Sequence, residues 1–117
     1  MQQFLLLLKD ERAGAWAAGL SPEQMQAIMM RYGTWSKALK EKTTIVNSNK
    51  LMDEGGKLIC RTSGGVTVTD GPYAEGKEII GGYYLIEADN YDKAVEFASD
   101  CPHLDFGTIE VRAIHKL

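Results

Sequence analysis

The stretch Thr69-Asp70-Gly71-Pro72-Tyr73-Ala74-Glu75-Gly76-Lys77-Glu78 holds the densest group of side chains able to do chemistry. It carries three carboxylates, a lysine and a phenol, and hydrophobic segments flank it. Two nearby carboxylates can push each other's pKa apart and so supply one acid and one base. Asp70 and Glu75 are therefore catalytic candidates, with Tyr73 and Lys77 as ligand contacts. Polar function often sits on loops carried by rigid elements. Turn chemistry by itself also accounts for Asp70-Gly71-Pro72, with the charges left in water.

The sequence has two histidines, His103 and His115. His115 lies near the terminus and is expected in solvent. His103 follows Cys101-Pro102 at the expected end of a helix, where positive charge is favoured. It reads either as a helix-end cap or as an acid/base group at the rim of a cleft, with Asp105 near enough in sequence to orient it. Cys101 could be a nucleophile, but a single Cys on an apolar helix face is better read as a small core residue. Arg112 alternates outward from Ile109 and Val111. There it could bind a carboxylate through two parallel hydrogen bonds or pair with Glu110 across a neighbouring strand. Trp16, Trp35, Tyr83 and Tyr84 are candidates for an apolar pocket, although the helical spacing of Trp35 favours the core. The chain has no phosphate loop, Rossmann glycine pattern, zinc-ligand spacing or nucleophile elbow. No metal and no organic cofactor is expected.

The elements that must position these residues follow from periodicity. Phe4 to Lys9 reads as a fully buried strand. Ala15-Trp16-Ala17-Ala18 suggests a short helical turn. Ser21-Pro22-Glu23-Gln24 combines an N-cap, a proline at the first helical position and a capping box. Met25, Ile28, Met29, Tyr32, Trp35 and Leu39 then form one stripe of a helix ending near Lys42. Thr43 to Val46 is a β-branched strand, and Asn47-Ser48-Asn49 is turn material. Lys57 to Thr62 and Val66 to Thr69 form a hairpin about Ser63-Gly64-Gly65. Ile79 to Ala88 is a strand in which Gly81-Gly82 suggests a bulge or a close backbone approach. Asp89-Asn90 opens a second helix, with Tyr91, Ala94, Val95, Ala98 and Cys101 on one face and Pro102 as its stop. Gly107 to Ile114 alternates as a half-buried strand.

Without its hairpin this order is βαββαβ, the ferredoxin-like split pattern of an α+β fold. Such a unit covers one sheet face with helices and leaves the other open. Inner strands this apolar call for a second subunit, with twofold symmetry as the default. All 117 residues fit one domain. With 44% hydrophobic and 25% charged residues, and a net charge of −3, the composition is that of a soluble globule. The lack of a Lys/Arg run argues against nucleic acid as the main partner. The apolar start, Phe4 to Leu8, is too short for an export signal or a membrane span. Two free thiols in the reducing cytoplasm are the simplest reading of Cys60 and Cys101.

Asp70-Gly71-Pro72-Tyr73-Ala74-Glu75-Gly76-Lys77-Glu78 resembles the signature of the YCII-related proteins of the DGPF type, usually Asp-Gly-Pro-Phe-Ala-Glu-Thr-Lys-Glu. The resemblance continues through Gly81-Gly82-Tyr83-Tyr84, Ala94, Cys101-Pro102 and Val111-Arg112. It also takes in the Ser21 to Met25 helix start and the Tyr32-Gly33 step. It implies a dimeric ferredoxin-like α/β barrel with a cleft near the sheet and helix ends. It departs at Tyr73, which adds a hydroxyl, and at Gly76, which removes one. In the wider superfamily a His–Asp pair has been proposed as catalytic. Its positions fall on Tyr32 and near Cys101, so neither residue type is kept, and Tyr32 is left as a hydrogen-bonding cleft residue. Two functions follow from the resemblance. One is a small-molecule binder or acid/base enzyme with an apolar ligand in the barrel cleft. The other is a non-catalytic dimeric module, since family members are often encoded beside alternative sigma factors.

Overall fold

The computed structural model describes residues 1–10, 19–71 and 79–117. The Ala15–Ala18 turn with Trp16, and Pro72 to Glu78 with Tyr73, Glu75 and Lys77, lie outside the described residues. The elements run β1 (Gln2–Asp10), α1 (Pro22–Lys42), β2 (Ile45–Lys50), β3 (Lys57–Thr62), β4 (Gly65–Asp70), β5 (Ile79–Ala88), α2 (Tyr91–Ala98), a 3₁₀ turn (Pro102–Asp105) and β6 (Thr108–Ala113).

The fold is α+β. Four strands form one sheet in the order β2-β5-β1-β6. Every neighbouring pair is antiparallel. With the hairpin set aside, this is the strand order of the split βαβ pattern. β1 is central, and its side chains alternate. Phe4, Leu6, Leu8 and Asp10 are buried on one face, while Leu5, Leu7 and Lys9 are only half-buried on the other. The expectation of a strand buried on both faces therefore holds for one face within a single chain.

The helices build the core over that first face. α1 starts as its sequence dictates. Ser21 Oγ accepts from the Gln24 amide at 3.1 Å, and Gln24 Oε1 accepts from the Ser21 amide at 2.8 Å. Such a cap contributes about 1 kcal/mol. Only Trp35 and Leu39 of this helix are fully buried. Its first half is less covered, with Met29 and Met30 exposed. Asn90 caps α2 by accepting from the Lys93 amide at 2.9 Å. α2 presents Ala94, Phe97 and Ala98 to Phe4, Leu6 and Ile86 in the core. Burying a side chain such as Leu6 or Ile86 stabilises the fold by about 1.5–3 kcal/mol.

Three local expectations are corrected. Asn47-Ser48-Asn49 is not a turn but the body of β2, paired with Leu85, Tyr84 and Tyr83. The sheet supplies backbone partners that outweigh the turn preference of these residues. Asn47 and Asn49 also bond the Tyr83 hydroxyl. α2 stops at Ala98 rather than at Cys101. Pro102 then opens the 3₁₀ turn instead of closing a helix, as its fixed φ allows at a first helical position. His103 is consequently not an exposed helix-end cap.

The paired glycines of β5 do both things expected of them. Leu8 pairs with Gly82 and Lys9 with Ile80, so Gly81 is the extra residue of a β-bulge. A Cβ on Gly82 would lie 3.1 Å from the Asn49 carbonyl, which is tighter than a side chain tolerates without movement. The β3–β4 hairpin forms, with a connection one residue shorter than expected: Gly65, at φ +119°, is already paired with Thr62, which leaves Ser63-Gly64 as the turn. All of its residues are exposed, including Ile59, Val66 and Val68.

Candidate functional site

A cleft of about 360 Å³ opens where the C-terminal end of β1, the middle of α1, the end of β2, the β5 bulge and the 3₁₀ turn converge. That volume lies in the range of small-molecule sites. Leu8, Met29, Tyr83 and Tyr84 give it an apolar body, and Asp10, Tyr32, Asn49 and His103 are among its polar lining.

His103 is the most constrained polar group in the wall, with 4% of its surface exposed. Its Nε2 lies 2.8 Å from the Lys9 carbonyl oxygen, and its Nδ1 lies 3.1 Å from the Tyr32 hydroxyl. Backbone geometry fixes the ring's position. The Phe106 and Gly107 amides both donate to the His103 carbonyl at 2.9 Å. Gly107 is required there. A Cβ at that position would sit 2.0 Å from the Lys9 carbonyl oxygen and 3.0 Å from His103 Nε2.

Tyr32 reaches the same point from α1. Burial raises its pKa, and the neighbouring Cys101, Tyr84 and Asp10 raise it further, so the phenol holds its proton. Tyr84 is also raised by burial, against the opposing pull of its hydrogen bond with Ser36 at 2.6 Å. The Trp35 ring meets Tyr84 edge-on with centroids 5.0 Å apart, and Trp35 Nε1 donates to Asp100 at 2.9 Å. Trp35 thus belongs to the core and braces the cleft from behind.

The candidates read from sequence separate. His103 and Tyr32 come together. Asp105 does not orient His103, because it accepts from Arg31 at 2.6 Å; the Lys9 carbonyl does that work. Asp70, at the exposed end of β4, pairs with Lys57 and is not in the cleft wall. Arg112 projects on the open sheet face beside Leu5. It bonds Glu110 two residues away on its own strand at 3.2 Å, not on a neighbouring strand, and does not line the cleft. Lys9 bonds the same Glu110 at 3.0 Å. These two hydrogen bonds, the Lys9 one foremost, lower the Glu110 pKa. Cys101 is buried, and burial pushes its thiol up to about 11, so it is no thiolate nucleophile at neutral pH. His115 is exposed.

Asp10 is the polar residue that sequence reasoning missed. It is 5% exposed and lines the cleft. Its signal was present, since period-two alternation places it on the face of Phe4, Leu6 and Leu8, where a carboxylate is unusual. Among the described residues no group of three His, Cys, Asp or Glu could hold a metal ion. No helix among them is long and apolar enough to cross a membrane.

A 4-stranded antiparallel sheet with this strand order, two helices on one face and a cleft at the strand ends defines a small α+β domain. The model of the YCII-related domain matches residues 2–117, and the chain belongs to that family. It is similar to a protein of Rhizobium meliloti (strain 1021) named Uncharacterized protein R00369, with 30% identity over 114 residues that span 94% of this chain and 89% of that one. The Tyr32 hydroxyl meets His103, which lies two residues beyond Cys101.

Proposed function

We propose that the chain is a small-molecule-binding domain of the DGPF type. Its ligand has an apolar or aromatic body between Met29, Tyr83 and Tyr84, and a polar end against His103, Tyr32 and Asp10. One observation carries the reading. A histidine and a carboxylate, 4% and 5% exposed, stand in the wall of one small-molecule-sized cleft. Burying such groups costs stability, and perturbed or buried polar groups converging on a cleft are the usual mark of a binding or catalytic site. His103 is the group suited to move a proton, and Tyr32 the one suited to hold a ligand by a hydrogen bond. Glu75 is proposed as a further acid on the strength of its sequence alone.

A second reading concerns partners. Leu5, Leu7 and Leu85 leave the open sheet face partly apolar, and a second copy packed there would form the dimeric barrel of a cytoplasmic protein. The exposed apolar hairpin favours a further protein contact, for which an alternative sigma factor is the family-based candidate.

A thermal-shift screen against metabolites rich in aromatic acids and amines tests the first reading, because a ligand that binds the folded state raises the midpoint by mass action. A reproducible rise that disappears in Tyr32→Phe is the expected result. A blank screen, or hits indifferent to Tyr32→Phe and His103→Ala, would overturn it.

A further inference from the structure

We infer that His103 sets the polarity of the cleft: it spends the Tyr32 proton, leaves the Tyr32 oxygen as an acceptor facing the ligand, and so selects ligands whose polar end is a hydrogen-bond donor. This rests on the cleft reading above and goes beyond it in naming the ligand chemistry.

The argument starts at the Lys9 carbonyl, which can only accept. A ring nitrogen 2.8 Å from it must carry a hydrogen, so Nε2 is the N–H of the neutral imidazole. Nδ1 is then a bare acceptor. The group 3.1 Å away, the Tyr32 hydroxyl, must donate to it. A hydroxyl has one proton and two lone pairs. With its proton turned to His103, Tyr32 offers only lone pairs to the cleft it lines. Asp10 in the same wall adds a second acceptor chemistry when ionised. A phenol, an amide N–H or an amine fits the Tyr32 and Asp10 end of the wall, and an ether or a ketone does not; Ser48, Asn49 and Lys50 line another part of the same cleft.

The relay has a second state. When His103 takes up a proton, both ring nitrogens become donors. Nδ1–H then donates to the Tyr32 oxygen, and the Tyr32 proton turns into the cleft, which now seeks an acceptor. The charged and titratable groups on the ring's side are Asp10 from β1, Arg31 and Tyr32 from α1, Tyr84 from β5, Cys101 just before the 3₁₀ turn and Asp105 at its end. The Lys9 side chain, whose backbone carbonyl meets the ring, points to the other sheet face with Glu110 of β6. Gly107 keeps the device in place, since any side chain there would collide with the carbonyl that sets the tautomer.

The test uses the whole ¹⁵N-labelled chain. Imidazole nitrogen shifts report which ring nitrogen carries the proton. Binding of phenol and anisole, which share a ring but only one of which donates, is then followed by amide shifts above and below the titration midpoint of the same imidazole. The expected result is an Nε2–H tautomer at neutral pH, an Nδ1 shift that moves in Tyr32→Phe, and a preference for phenol of roughly fivefold, the size of one hydrogen bond. That preference shrinks on protonation and is lost in Tyr32→Phe. An Nδ1–H tautomer, or a preference for anisole at neutral pH, would overturn the inference. The nitrogen shifts decide the relay without any ligand. An Nε2–H tautomer with neither probe bound would support the relay and tell instead against the cleft reading.

Discussion

The β3–β4 hairpin and the corner where β1, α1 and the 3₁₀ turn meet both carry ionisable side chains, in opposite surroundings. In the hairpin, Lys57 and Asp70 pair in water, and Ile59, Val66 and Val68 have no described neighbour layer to bury them. In the corner, His103 and Asp10 are buried, and one backbone carbonyl and one phenol hold the imidazole at both ends. A solvated ion pair contributes little, because water screens it and two flexible side chains must be ordered. A buried polar group is costly unless satisfied, so its geometry is defined. Charge density along the sequence marked Thr69 to Glu78, of which only Thr69 to Gly71 are described; among the described residues the buried polar geometry sits in the corner.

The contrast is easiest to break with a matched pair of truncations. Leu6→Ala removes a fully buried core side chain and should cost about 2–5 kcal/mol in denaturant unfolding. Ile59→Ala, in the hairpin, should stay within about 0.5 kcal/mol. Equal costs would mean that something covers the hairpin, and dependence on protein concentration would then identify a second copy.

Alkaline pH should loosen the core side. Burial holds the Cys101 thiol protonated, moving it from an ordinary 9.0 to about 11. The unfolded chain gives up that proton first, so the thiol's contribution is complete below about pH 9 and is lost as pH rises through 11. Two pKa units correspond to roughly 2–3 kcal/mol at most. Tyr32 and Tyr84, also raised, act in the same direction. Stability measured from pH 8 to 11 should fall, and Cys101→Ala should remove part of that fall.

Gly107→Ala probes the corner itself. The added methyl would meet the Lys9 carbonyl at 2.0 Å, and overpacking of this kind costs about 1–3 kcal/mol. Beyond lost stability, the imidazole nitrogen shifts of His103 should move in the folded variant. Unchanged shifts would show that the Lys9 carbonyl does not set the ring. Asp70→Asn belongs with Ile59→Ala at the small end: it should change stability by less than about 1 kcal/mol, and less still at high salt.

Much of the fold was legible because short-range signals and long-range packing agree. Ser21 and Gln24 formed the expected capping box, the Met25 to Leu39 spacing gave one helix ending at Lys42, and Gly81-Gly82 marked the bulge. Asn47 to Asn49 misled, since an edge strand took residues whose local preference is a turn. The site was less legible for a different reason. Tyr32 and His103 are 71 residues apart, and nothing local says that they touch. Asp10 could have been found by following the alternation of β1 one residue further. Gly107 could not, because its role depends on a carbonyl from another strand.

The most direct test of the central claim maps where ligands bind. Amide shift changes of the ¹⁵N-labelled chain should be recorded with each hit from the thermal-shift screen. The account predicts changes clustered at Tyr32, Gly81, Gly82 and His103, with the hairpin from Lys57 to Asp70 unmoved. Changes confined to the hairpin or to the open sheet face, with the His103 corner silent, would contradict it.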